Sequence, residues 1–259
     1  MAVQFTPEEL EMLTTKYRLT MDVSTDATYS IRSLDFLDIQ KNTAYFEKVA
    51  SIYESTSEVV TVSLFAKRYA CLGIASGLYA MSMYNKSMDY SLENCHMESI
   101  FHGEAWLPCV RLTNSEVSQP EVGSRKEWRD RVIQNIFADN IARVWDSFAK
   151  SVKISKSVLW ENTAIYVYWL YENQFGEGAS ACQQAQLLED YQYLVEEAPA
   201  HLFGETKNPL KKFNSPKKVT TASETPLRIR KTCCYYYQVS DDNEYCPTCP
   251  KIKHEFVSV

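Results

Sequence analysis

Four of the eight cysteines lie within residues 233–249, as Cys233-Cys234 and then, eleven residues on, Cys246-Pro247-Thr248-Cys249. This crowding limits the chain more than any other feature, because the window must loop back on itself if its thiols are to meet. Four thiolates saturate one metal centre, and such soft ligands select iron–sulfur clusters, zinc or cuprous ions. The adjacent pair is the unusual part. Neighbouring side chains in extended backbone point to opposite sides, so Cys233 and Cys234 chelate one small ion poorly unless the backbone bends. Zinc requires four sulfurs in tetrahedral array at about 2.3 Å. A two-iron cluster is larger and accepts ligands from more awkward directions. The spacing departs from that of plant-type ferredoxins. It favours a cluster, while a four-cysteine zinc knuckle, a dithiol switch and four unrelated thiols stay open.

The rest of the chain reads as mainly α with a small antiparallel β element, an α+β body. Hydrophobic residues make up 45% of the 259, enough for a sizeable core, and seven glycines are too few for a sandwich or many tight hairpins. Thr6-Pro7-Glu8-Glu9 predicts an N-cap and capping box, with a helix to about Arg18. Helical spacing continues over 34–54, and residues 58–84 form a long apolar stretch with small residues that suits a central core helix. Its most apolar part, near Tyr69–Tyr84, is too short and too rich in Ser, Gly and Tyr for a bilayer span. Residues 89–113 predict a short hairpin or small sheet. Ser124-Arg125-Lys126-Glu127 predicts a second capping box, ahead of an apolar stripe running to Phe148. Residues 155–173 and 181–197 complete the helices.

A net charge of −6 excludes non-specific nucleic-acid binding as a default. The beginning of the chain has neither a basic region nor an apolar core, so a soluble, cytoplasmic protein without a signal peptide is expected. Charge is unevenly spread. Residues 205–231 hold eight basic and two acidic residues, a net of +6, leaving −12 elsewhere. This gives three parts: a helical body over 1–204, a basic, proline-punctuated connector over 205–226 and a cysteine-bearing segment over 227–259. Gly176-Glu177-Gly178-Ala179-Ser180-Ala181 fits a dinucleotide fingerprint in letters only, since no strand precedes it and no βαβ alternation surrounds it. It reads as a helix-terminating loop rather than a dinucleotide site. Cys71, Cys95, Cys109 and Cys182 read as packed thiols, and the four histidines as structural or exposed.

The string from Arg228 to Tyr237 followed by Tyr245-Cys246-Pro247-Thr248-Cys249-Pro250 resembles the C-terminal signature of the FhuF-like ferric-siderophore reductases. There, two adjacent cysteines are followed after about ten residues by C-x-x-C; here the spacer is one longer, within a loop. Val158 to Ala164, with Trp160 two residues before Asn162, is similar to a helical segment of the same family. The resemblance implies a helical body related to the C-terminal part of aerobactin-type siderophore synthetases. It also implies a 2Fe–2S cluster on Cys233, Cys234, Cys246 and Cys249, and cytoplasmic one-electron reduction of an imported ferric siderophore, hydroxamate or citrate-based. A ferredoxin, flavodoxin or reductase would supply the electron. Arg228, Arg230 and Lys231 lie beside the first ligands and are expected to raise the cluster potential. Tyr235, with its two neighbours, is expected to shield the cluster, and Trp160 and Asn162 are candidates for a substrate groove. A partner-binding protein with a structural zinc site, or an iron–sulfur redox sensor, are the rival readings.

Overall fold

The computed structural model describes residues 3–221 and 223–256. The helices are α1 (Pro7–Thr15), α2 (Ile39–Ala50), α3 (Glu58–Tyr84), α4 (Arg125–Ile136), α5 (Arg143–Ser151), α6 (Lys156–Trp169), α7 (Ala181–Gln192) and α8 (Pro209–Phe213). The strands are short: β1 (Leu19–Thr20), β2 (Ile31–Arg32), β3 (Cys95–Glu98), β4 (Phe101–His102), β5 (Ala105–Trp106), β6 (Cys109–Leu112), β7 (Lys218–Thr220) and β8 (Ser223–Leu227). The chain is mainly α with small β elements.

Helix α3 is the axis of the body. It is apolar nearly all round, as a helix enclosed by others must be. By length and composition it passes for a membrane span, being longer than its most apolar part suggested, but 78% of that window is buried inside the fold. Helices α2, α4, α6 and α7 surround it. Gly77 makes the close approach to α4 possible, since a β-carbon there would lie 2.8 Å from Ile136 Cδ1. An aromatic cluster fills the space between α2, α3 and α5, with Phe36 and Phe46 edge-on to Phe148 at 5.3 and 4.9 Å.

The hairpin expected over 89–113 is present. Strands β3 and β6 pair antiparallel, Met97 opposite Val110, with β4 and β5 forming a second small pair between them. Two segments from early in the chain extend it: β1 joins β6 in parallel and β2 joins β3, giving the order β1-β6-β3-β2. Two-residue strands carry too little period-2 pattern to be read from sequence.

Caps set most helix boundaries. The Thr6–Glu9 capping box forms, and Asp38 accepts from the backbone of Gln40 and Lys41, separating α2 from the 3-10 turn before it. The box expected at Ser124 does not form. Its backbone is not extended, and its hydroxyl donates to the Glu121 carbonyl at 3.1 Å. The loop after α6 ends instead in an unforeseen box, Ser180 with Gln183, which starts α7. Helix α4 passes into α5 through a π-helical stretch (Phe137–Ala142), and the extra residue turns Asn140 inward, where it bonds the Tyr69 hydroxyl at 2.6 Å and the Tyr90 carbonyl at 2.8 Å. Cys182 is exposed and Cys71 and Cys109 half-buried, so of the scattered thiols only Cys95 is fully packed. Cys182 stands in the first turn of α7, on its solvent side.

Candidate metal centre

Helix α6 supplies the foundation of the site. Its sequence, KSVLWENTAIYVYW, is apolar on most sides yet buries Glu161 (2% exposed), Asn162 (0%) and Thr163 (0%). Buried polar groups require partners, and the tail provides them. Glu161 accepts from the backbone N–H groups of Lys231 and Thr232, both at 2.6 Å, and from the Thr232 hydroxyl. Its second oxygen lies 3.7 Å from Arg230 Nε. The Arg230 guanidinium donates to Asn162 Oδ1 at 2.6 Å, and Asn162 donates to the Ser63 carbonyl at 3.0 Å. Ser63, on α3, donates its hydroxyl to the Cys234 carbonyl at 3.0 Å. A continuous polar chain thus ties the first cysteine pair to both core helices.

The second cysteine pair is tied to the first. Cys246 to Cys249 form a tight turn, with Cys249 N–H on the Cys246 carbonyl at 2.9 Å, and Arg230 N–H donates to the Thr248 carbonyl at 3.0 Å. Immediately after Cys234 the chain turns sharply, for Tyr235 sits in the left-handed region at φ 62°. The outcome is two thiol pairs. Cys233 Sγ lies 3.8 Å from Cys249 Sγ, and Cys246 hydrogen-bonds Cys234. Two thiolates on one tetrahedral ion, at bonds of about 2.3 Å, stand about 3.8 Å apart. Each neighbour in Cys233-Cys234 therefore faces a different member of Cys246–Cys249. Among the described residues no three His, Cys, Asp or Glu side chains converge as for a single ion. The pairing suits two metal ions side by side.

Cys234 and Cys249 are buried, while Cys233 and Cys246 are half-buried. The hydrogen bond from Cys246 draws the Cys234 thiol well below the usual range, aided against burial by Lys67 and Arg230. The same bond, with burial, pushes Cys246 up. Lys67 Nζ stands 4.0 Å from Cys234 Sγ. The Tyr235 N–H reaches Cys233 Sγ at 3.4 Å. These donors and the cation favour extra negative charge at the sulfurs.

The other residues singled out in the sequence are placed as follows. Arg228 pairs with Glu172 at 2.7 Å and lies over the Tyr168 ring at 4.3 Å. Lys231 is exposed, its ammonium on the Lys212 carbonyl. Trp160 is buried, donates to Glu205 at 2.9 Å and borders a cavity of about 790 Å³ with the Lys211–Lys212 region. Asn162 faces the tail, not a groove. Glu161, Ser63 and Lys67 were missed. The signal for Glu161 was present in the sequence, since a lone carboxylate in an apolar helix must find a partner.

Fold and site together define a helical protein whose last segment is clamped to the core so as to offer four thiols, in two pairs, to a small inorganic cofactor. Residues 63–218 match the family model of the ferric iron reductase FhuF-like transporter, and residues 230–251 match that of the FhuF 2Fe–2S C-terminal domain. The chain belongs to this FhuF-like ferric iron reductase family, and its cofactor is a 2Fe–2S cluster. Ser63, Glu161 and Asn162 fall within the first match, and Arg230 and the four cysteines within the second. No curated protein matches the chain.

Proposed function

We propose that this protein is a cytoplasmic ferric-siderophore reductase in which Cys233 and Cys249 hold one iron of the 2Fe–2S cofactor and Cys234 and Cys246 the other. The observation that carries the reading is the two thiol pairs, with the Cys233 and Cys249 sulfurs 3.8 Å apart, fastened to α3 and α6. Siderophores hold ferric iron with hard oxygen donors. One electron converts it to the larger, softer ferrous ion, which such donors hold far less well. The cofactor, when bound, supplies that single electron. The chain's own residues do the rest. Glu161, Arg230 and Asn162 fix the ligand segments, burial of Cys234 and Cys249 keeps water from their sulfurs, and Lys67 offsets added negative charge. A ferredoxin, flavodoxin or reductase restores the electron. In this reading residues 1–204 form the body, 205–226 the connector and 227–259 the cluster-binding segment.

The test is anaerobic purification with iron, sulfide and zinc analysis, followed by mixing dithionite-reduced protein with ferric siderophores and a ferrous-trapping chelator. Reddish-brown protein that releases ferrous iron supports the proposal. A colourless, zinc-loaded protein supports a structural metal site instead, and a cluster that bleaches without ferrous release supports a sensor.

A further inference from the structure

A groove opens beside the cluster-binding thiols. Its first part, a cavity of about 360 Å³, is lined by Lys67 and Arg68 of α3, Tyr166 of α6, Tyr53, and Tyr236 of the tail, with Glu54 its carboxylate. A second cavity of about 340 Å³ shares Arg68 and Tyr166 and adds Lys16 and Arg18. Both volumes are in the range of small-molecule sites. Lys16 is neutralised by Glu177 at 2.8 Å. Lys67 and Arg68 have no carboxylate within ion-pair distance among the described residues. Arg68 instead lies over the Trp106 ring at 5.2 Å and donates to the Trp106 carbonyl. Two further observations mark the groove as built for a ligand. The Tyr53 hydroxyl is buried in its wall beside the Arg68 guanidinium, without a well-formed hydrogen bond, which leaves it able to meet a ligand oxygen. Lys67 also borders both groove and centre, with Cys234 Sγ at 4.0 Å and the Tyr236 ring at 5.8 Å.

We propose that this groove binds an anionic, carboxylate-bearing ferric chelate of the citrate type, in preference to a neutral tris-hydroxamate complex. The proposal rests on the reductase reading and assigns it a substrate class. Lys67 and Arg68 meet the carboxylate oxygens, Tyr166 and Tyr236 flank the chelate, and the ferric ion comes to rest beside the Cys234 side of the centre. A concave wall with Lys67 and Arg68 on one side suits a small anionic ligand rather than the flat face of an electron-donor protein.

Gallium(III) has the charge and oxygen preference of ferric iron but is not reduced, so it separates binding from turnover. Gallium(III) citrate and a neutral gallium(III) tris-hydroxamate are titrated calorimetrically into the oxidised, cluster-loaded protein. The citrate complex should bind about tenfold tighter or more, and should weaken with salt. Lys67→Met should reduce its affinity about tenfold, the effect of one lost charge-assisted contact, and leave the neutral complex unchanged. Tyr53→Phe should also weaken citrate binding. Equal binding of the two complexes, or wild-type citrate affinity in both variants, overturns the groove. Ferrous release that proceeds unaltered in both variants overturns the groove and leaves the reductase reading intact. Citrate binding as described, with no ferrous release from the ferric complex, overturns the reductase reading and leaves the site.

Discussion

Replacing Lys67 with methionine removes a positive charge 4.0 Å from Cys234 Sγ while keeping the length of the side chain. Two unit charges at that separation interact by about 1 kcal/mol in a water-like medium and about 4 kcal/mol at an effective dielectric of 20. Lys67 is half-buried, and the added electron is spread over a centre larger than one sulfur, so the lower figure applies. In a one-electron couple a tenfold change is 59 mV, or about 1.4 kcal/mol, which makes 1 kcal/mol about 40 mV. A positive charge stabilises the reduced, more negative centre, so its removal lowers the midpoint. The expected result is a fall of about 40 mV or more in a titration followed by visible absorbance. Lys67→Arg should recover most of it, and high salt should shrink the difference. Arg228→Gln should shift the midpoint less, because Glu172 already compensates that charge at 2.7 Å. An unchanged or raised midpoint in Lys67→Met, with iron and sulfide content intact, would refute the argument.

Cys246→Ser should alter the visible spectrum and lose iron, whereas Cys182→Ser should do neither; normal iron and sulfide in Cys246→Ser would remove that thiol from the ligand set. Glu161→Gln replaces an acceptor of three tail hydrogen bonds with a group that is half donor, so unfolding in urea should show a loss of about 3 kcal/mol and faster cluster loss to a chelator; stability within about 0.5 kcal/mol of wild type would disprove the clamp. At Glu172 burial works to raise the carboxyl, but hydrogen bonds from Arg228, Lys217 and Tyr191 outweigh it and bring it down to about 2 from 4.5. Its stabilisation is therefore complete above pH 4.5 and lost as pH falls toward 2. The melting-temperature gap between wild type and Glu172→Gln should close over that window, and a gap independent of pH would count against it.

The helices were legible because their signals are local. Thr6 and Glu9 cap α1 as read, and the unbroken apolar run of α3 could only belong inside. What escaped depends on contacts between distant segments. Strands β1 and β2 acquire their identity only from β6 and β3, many residues away. Ser124 has the composition of a cap but not its backbone, and composition alone cannot report φ and ψ. In the site, the crowding of four cysteines was plain, and their arrangement in crossed pairs was not, because it follows the left-handed turn at Tyr235 and the Arg230–Thr248 hydrogen bond. Nothing local marks Lys67 within its helix, and only tertiary packing sets it against Cys234. Asn162, a candidate for a substrate groove, is instead buried with Arg230 and Ser63 as its partners.

The clamp between Glu161, Asn162 and residues 230–232 also bears on the order of events at the ribosome. Ser63, Glu161 and Asn162 leave the exit tunnel well before Arg230 does. Until the tail arrives, the nascent body carries an anion and an amide in an oily cleft with nothing to satisfy them. The strip that bears the thiols is thus the keystone of the arch, and a polypeptide stopped short of it should be prey for chaperones and proteases even though every major helix has been made.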